Sequence, residues 1–274
     1  MPAFLTRPRR LLPRGLLDLL VQFAIVFVIY ETYRLTRGLI DDPLSARVAF
    51  RNAEWIIDAE RALRIDVEDE VQRFAESVGG LSSVSSFLYI NVQTTVTFAV
   101  MAYIYVRFTS SFGFVRNAFV ATWAIALVGF VLLPTAPPRL IPELGLRDSV
   151  SIFTGVDPSD RQLQRFYNPY AAMPSLHCGI ATLVGGSLAL LSRTRAARIA
   201  WSLYPVMVIF VVMATGNHYL LDAVAGVLVA LAGAGVAWGC GRLRPDAWAL
   251  HRGPGATATA TAGPGPERPA GPPA

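Results

Sequence analysis

The sequence predicts an all-α fold: a polytopic membrane protein built as a bundle of six transmembrane helices. Three observations favour this class. The 274 residues are 53% hydrophobic and only 16% charged, whereas a soluble domain has about a quarter charged residues. The mean hydropathy is +0.45. The apolar residues form six runs, each near the ~20 residues that a helix needs to cross a bilayer: 16–33, 84–107, 114–133, 173–192, 198–216 and 219–240.

The charged residues exclude several function classes. All 24 basic residues are arginine, and the formal net charge is +5. Because lysine is absent, no mechanism can use a Schiff-base or P-loop lysine. The arginines lie beside the apolar runs and not along one basic face, which argues against a nucleic-acid partner. Two cysteines cannot supply a disulfide framework.

The basic segment 1–15 and the first apolar run resemble a signal peptide but are predicted to be a retained anchor, because no small-residue cleavage site follows. The other short basic loops all fall on the same side of the membrane as this segment: Arg107 and Arg116, then Arg193, Arg195 and Arg198, then the tail. The positive-inside rule therefore predicts that both termini are cytoplasmic.

Three segments outside the apolar runs are assigned from their patterns. Residues 44–78 are polar but place apolar residues at helical spacing, and Asp66 can cap a second helix within them. These amphipathic helices are predicted either to lie on the outer membrane surface or to pack with one solvated face against the bundle. Residues 134–172 form a long outer loop. Residues 243–274, rich in Ala, Thr, Gly and Pro, are predicted to be disordered.

Two of the three histidines lie at the boundaries of apolar runs. His177 stands where the outer loop enters the fourth run, and His218 stands where the fifth run turns into the sixth. The residues between them correspond to about two crossings of a ~30 Å core at ~1.5 Å per helical residue. Both imidazoles are therefore predicted to lie on the same, outer, face, which makes this face a candidate active site.

Three further residues around the histidines point to phosphate-ester chemistry. Asp222 follows His218 by four residues, which predicts that both share one helix face. An Asp that accepts from one imidazole nitrogen leaves the other nitrogen able to attack. Pro174 and Ser175 are typical of a helix start, with Pro in the first turn, backbone N–H groups facing the loop and a hydroxyl nearby, which together suit an anion.

Other interpretations of these residues remain open. The His–Asp pair can be an ordinary polar contact between helices. His177, His218 and Asp222 can bind zinc, although no fourth ligand is near in sequence. A proton relay or transporter is disfavoured, because its ionisable groups would lie near the midplane.

The motifs resemble a known family. Pro174-Ser175-Leu176-His177 resembles the second signature of the type 2 phosphatidic acid phosphatase superfamily, and His218 with Asp222 resembles its third. The stretches 171–177 and 134–139, with Asn217-His218-Tyr219, most resemble the inositolphosphotransferase branch, which includes inositol phosphorylceramide synthase and many bacterial relatives. The six-span layout extends the resemblance over most of the chain.

The resemblance implies roles for these residues. His218 would form a phosphohistidine, oriented by Asp222; His177 would protonate the leaving alcohol and then activate the acceptor; Ser175 would help to hold the phosphate. The sequence departs from the phosphatase signatures in having no lysine and in having Val212 where an arginine is expected. The phosphate-binding cation is therefore predicted to be Arg139, with Arg165 as second choice.

The predicted function is that of a membrane-embedded lipid phosphatase or phosphotransferase, active on the outer face of a bacterial plasma membrane. Its substrate would be a phospholipid or polyprenyl-phosphate headgroup, and its acceptor water, a polyol or a lipid alcohol. No metal or other cofactor is expected, because a neutral imidazole attacks directly and arginines offset the phosphate charge. The alternative is a non-enzymatic lipid-binding or transport protein on the same scaffold.

Overall fold

The computed structural model describes residues 15–38, 43–156 and 170–243, and these residues form helices and connecting turns without a strand. The all-α prediction is confirmed for this part of the chain. Three predictions fall outside the described residues: those on the basic segment 1–15 except Gly15, on the tail 243–274 except Leu243, and on Arg165. The helices are α1 Leu16–Gly38, α2 Pro43–Leu63, α3 Glu68–Ser77, α4 Leu81–Phe87, α5 Gln93–Arg107, α6 Thr109–Leu132, α7 Ser149–Thr154, α8 Leu176–Leu191, α9 Arg195–Ala214 and α10 Leu220–Leu243.

Four helical stretches in the described residues are long and apolar enough to cross a membrane: the continuous segment Leu81–Arg107, which joins α4 to α5 through a π-helical turn at Leu88–Val92, and the helices α6, α9 and α10. The remaining two apolar runs coincide with α1 and α8. α8 has only 16 residues, or about 24 Å at ~1.5 Å per residue, less than a ~30 Å core. That six helices span the membrane therefore stays a prediction.

The centre of the bundle depends on close approaches between α6, α8 and α10. A Cβ atom at Gly226 of α10 would lie 2.0 Å from the carbonyl oxygen of Ser175, at the start of α8. A Cβ atom at Gly233 would lie 2.2 Å from Oγ1 of Thr122 in α6. Small residues allow membrane helices to pack with their backbones in contact. These two glycines therefore fix how near α10 can come to its neighbours.

A buried polar network joins α1 to α5 and α6 at the end of the bundle away from the start of α8. Tyr105 donates to Asp18 at 2.6 Å, and Gln22 donates to Asp18 at 3.3 Å and accepts from the Arg116 guanidinium. Asn117 accepts two further hydrogen bonds from Arg116. Arg116, counted above as a loop charge, is therefore a buried residue of α6. The network satisfies polar groups that would be costly inside an apolar bundle.

Helices α2 and α3 pack across the end of the bundle at which α8 and α10 begin, here called the α8–α10 end. Ala49, Ala53 and Ile56 of α2 are completely buried there. This contact agrees with the interpretation of residues 44–78 as helices packed on the bundle, and a position on the membrane surface stays a prediction. Asp66 does not cap α3: the N-cap residue is Val67, which makes no side-chain cap hydrogen bond.

The described part of the outer loop is held to the same end by backbone hydrogen bonds. Thr135 donates from its N–H to the carbonyl of Tyr170 at 2.7 Å, and Ala172 donates to the carbonyl of Thr135 at 3.2 Å. Ala136 donates to the carbonyl of Ala49 in α2. The loop also forms 3-10 turns at residues 138–140 and 142–144 and the short helix α7. These contacts bring the backbone around Ala172 over the start of α8 and α10.

Candidate active site

His218 lies in the turn between α9 and α10. The chain turns at Gly216, where φ is +70°, and α10 begins only at Leu220. The His218 side chain is buried, and its Nδ1 lies 2.9 Å from the carbonyl oxygen of Ala172. The prediction that His218 shares a helix face with Asp222 is therefore wrong, because His218 precedes the helix and reaches Asp222 through the geometry of the turn.

Asp222 lies in the first turn of α10 and points back towards His218. Its Oδ2 is 3.4 Å from Nδ1 of His218 and accepts a 3.0 Å hydrogen bond from the N–H of Tyr219. The two atoms near Nδ1, the Ala172 oxygen and the Asp222 carboxylate, are both acceptors. Nδ1 therefore carries the ring proton, and Nε2 carries the lone pair. The shorter contact is with the backbone carbonyl, which the sequence did not indicate.

His177 lies in the first turn of α8, next to His218. Their ring centroids are 5.9 Å apart. The imidazole of His177 also stacks on Tyr89, with 4.2 Å between centroids and 19° between ring planes. Tyr89 lies in the π-helical turn at Leu88–Val92, and such turns occur frequently at functional sites. The two imidazoles that the sequence placed at one level are therefore adjacent in space.

Ser175 joins the starts of α8 and α10. It is the N-cap residue of α8, and its Oγ accepts from the N–H of Cys178 at 3.5 Å. Its own N–H donates to the carbonyl of Asp222 at 2.9 Å. The sequence predicted that Pro174 lies in the first turn of this helix. That prediction is wrong, because Pro174 precedes the N-cap residue. Ser175 thus caps the helix that carries His177 and ties its start to Asp222, and a contact of Ser175 with a phosphate stays a prediction.

Arg139 is held at the same end with its guanidinium buried. Its Nε lies 3.1 Å from Oδ2 of Asp148, and the side chain is 4% exposed. The guanidinium also donates to Oδ1 of Asn217, the residue before His218. One small pocket is lined by Arg139, His177 and His218, with Asn217 and Tyr89 among its other walls. The structure thus brings the first-choice arginine together with both histidines.

Two glutamates of α2 and α3 hold the first backbone N–H groups of α10. Glu68 accepts from the N–H of Leu220 at 2.7 Å, and Glu60 accepts from the N–H of Leu221 at 2.7 Å. Burial, together with the charge of Glu68, raises the pKa of Glu60 to about 8, and burial also raises the pKa of Glu68. Acidic groups at a helix N-terminus stabilise the helix and satisfy donors that have no partner within it. These glutamates fix the start of the helix that carries Asp222.

The sequence did not reveal several of these contacts. Glu60 and Glu68 were part of an amphipathic pattern, and no local signal marks a side chain that caps a helix more than 150 residues later.

The structure does not support the zinc alternative for His177, His218 and Asp222. Among the described residues, no group of three or more His, Cys, Asp or Glu side chains is arranged to hold a metal ion.

The fold and the site together define a class: a polytopic α-helical protein with paired histidines and a buried arginine at one end of its bundle. The comparison with protein families identifies the class further. The model of the PAP2 superfamily matches residues 54–236, so the chain belongs to the PAP2 superfamily. Membership indicates a membrane phosphatase-type lipid phosphohydrolase. Searches of curated proteins and of solved structures found no match.

Proposed function

We propose that this protein cleaves or transfers a phosphoryl-linked headgroup of a lipid through a phosphohistidine at His218. The observation that carries the proposal is the placement of Nδ1 of His218 between two acceptors, Ala172 and Asp222. This placement supports a lone pair on Nε2, in a pocket shared with His177 and Arg139. In-line attack on a phosphate ester requires a nucleophile, a group that transfers protons and a cation. His218, His177 and Arg139 would supply these three parts.

In the first step, Nε2 of His218 attacks phosphorus and the bond from phosphorus to the lipid alcohol oxygen breaks. The departing oxygen takes a proton from the protonated His177. In the second step, an acceptor hydroxyl gives its proton to His177 and its oxygen attacks phosphorus, while the bond to Nε2 breaks and His218 regains its lone pair. Arg139 and the N–H groups at the start of α8 offset the phosphate charge throughout.

Replacement of His218 tests the mechanism. We expect His218→Ala to lower phosphate release from phosphatidic acid by at least about 1,000-fold, because no other group supplies the nucleophile. Asp222→Asn should lower it less, since the Ala172 carbonyl still holds the tautomer. With lipid labelled at phosphorus, the wild-type protein should retain acid-labile, alkali-stable label after quenching, and the His218 variant should retain none.

The matched control is His251→Ala, which removes the third histidine of the chain and should keep full activity. Full activity of the His218 variant would refute the mechanism. If the wild-type protein binds the lipid but does not turn it over, the result would instead support the lipid-binding or transport alternative.

The nature of the acceptor decides between hydrolysis and transfer. We propose that the protein belongs to the inositolphosphotransferase branch, on the motifs that resemble this branch, such as Asn217-His218-Tyr219. Incubation of the purified protein with a labelled lipid phosphate, with and without inositol or a lipid alcohol, distinguishes the reactions. A new phosphodiester would support transfer. Inorganic phosphate alone, at the same rate with each acceptor, would identify a phosphatase.

We further propose that six helices span the membrane, with both termini cytoplasmic and the α8–α10 end outside. The support is the distribution of arginines, which favours the opposite end as the inner one. In a Cys240→Ser background, a cysteine at Arg147, an exposed residue of the outer loop, should react with a membrane-impermeant maleimide in intact cells. A cysteine at Arg193 should react only after lysis. The reverse pattern would invert the topology.

A further inference from the structure

The end of the bundle opposite the histidines contains a cavity of about 670 Å³ between α5 and the α8–α9 turn. This volume is typical of ligand sites, and no residue of the site described above lines it. It is bordered by Arg107 at the end of α5 and by Arg193 in the turn, and both arginines are exposed. No carboxylate among the described residues forms an ion pair with either guanidinium.

The lining changes from polar to apolar along the cavity. Beside the two arginines lie the hydroxyl residues Ser192 and Thr194; deeper in the bundle the walls are apolar, among them Val96, Val100, Leu188 and Trp201. From Val96 to Arg107 the helix α5 rises by about 16 Å. One leaflet of a ~30 Å hydrocarbon core has about that depth. The cavity therefore has the length and polarity of a single lipid, with its headgroup end at the arginines.

We propose that this cavity binds an anionic phospholipid of the leaflet at that end, with the phosphate between Arg107 and Arg193 and an acyl chain along α5. Charge complementarity selects this occupant. Two cations that form no ion pair with a carboxylate of the described residues favour a headgroup with net negative charge over a zwitterionic one. The proposal does not depend on the phosphohistidine mechanism, because the cavity and the histidines lie at opposite ends of the bundle.

The test measures lipid retained by the purified full-length protein, by native mass spectrometry and by titration with 1-palmitoyl-2-oleoyl phosphatidylglycerol. The phosphatidylcholine with the same chains is the comparison lipid. The wild-type protein should bind phosphatidylglycerol more tightly, and added salt should reduce the difference. Each of Arg107→Gln and Arg193→Gln should weaken phosphatidylglycerol binding by about fivefold, and the double variant by about 30-fold.

The matched control is Arg195→Gln, which removes an exposed arginine two residues from Arg193 that does not line the cavity. It should bind phosphatidylglycerol as the wild-type protein does. Equal weakening by Arg195→Gln and by the double variant would overturn the proposal, because general surface charge would then account for the binding. Equal affinity of the wild-type protein for the two lipids would overturn it without any variant.

Discussion

Gly226→Ala gives a sharp test of how the site is assembled. The added Cβ atom would lie 2.0 Å from the carbonyl oxygen of Ser175, where an ordinary contact is 3.4–4 Å. The start of α8 and the start of α10 must therefore separate by about 1.4 Å. Ser175 directly precedes the helical turn that carries His177, whereas α10 carries Asp222. The substitution thus moves the two halves of the site apart.

A displacement of ~1 Å in reacting groups can lower a rate by about 100-fold. We expect a loss of this size in kcat for Gly226→Ala, measured as phosphate release from phosphatidic acid in mixed micelles. The helix itself should not weaken, because alanine is a better helix former than glycine by up to ~1 kcal/mol.

Gly235→Ala is the matched control, because Gly235 lies on the same helix and a Cβ atom there meets nothing within 4 Å. Both variants should elute as wild-type protein and keep its helical circular dichroism. A kcat for Gly226→Ala within threefold of that for Gly235→Ala would refute the conclusion that this contact sets the distance between the two halves of the site.

Three further predictions concern charged groups, and a fourth concerns metal removal. Arg139→Gln should lower kcat/KM by about 100-fold or more, and retention of wild-type kcat/KM would exclude Arg139 from phosphate binding. The pKa of Glu60 is about 8 in the folded protein and 4.5 in the unfolded chain. Between these pH values the folded protein keeps a proton that the unfolded chain releases. The free energy of unfolding should therefore fall as pH rises from 4.5 to 8, by at most ~1.4 kcal/mol per pH unit for this proton. Chemical denaturation at several pH values should show a flatter profile for Glu60→Gln, and an unchanged profile would contradict the assignment. Asp18→Asn should lower the free energy of unfolding by about 1–3 kcal/mol without changing kcat, and an altered kcat would show that the network at the opposite end acts on the site. Dialysis against EDTA should leave activity unchanged, whereas a loss restored by zinc would favour a metal mechanism.

The sequence predicted the helical class and the neighbourhood of His177 and His218 because both depend on patterns that are local or periodic. Apolar runs of span length determine the helices, and two crossings return the chain to the same end. Arg139 was chosen because the sequence resembles the phosphatase signatures but has no lysine and has Val212 where an arginine is expected. The structure places Arg139 in the pocket that the two histidines line.

The details that the sequence could not provide all depend on contacts between distant segments. The Ala172 carbonyl that contacts His218 is a backbone atom, and no side-chain pattern indicates it. The partners of Glu60 and Glu68 are N–H groups more than 150 residues away. The position of His218 before α10 follows from the turn at Gly216, whereas the spacing of four residues alone favoured one helix face.

The buried network around Asp18 has a consequence for biosynthesis. Its partner Tyr105 follows Asp18 by 87 residues, and Arg116 follows Gln22 by 94. At ~5–20 residues per second, a ribosome needs about 5–20 s to make that stretch. On the proposed six-span topology, α1 enters the membrane with Asp18 in its first turn before the partners of Asp18 exist. Asp18 and Gln22 therefore lack these partners until α5 and the start of α6 have been made, so the network can close only late in synthesis.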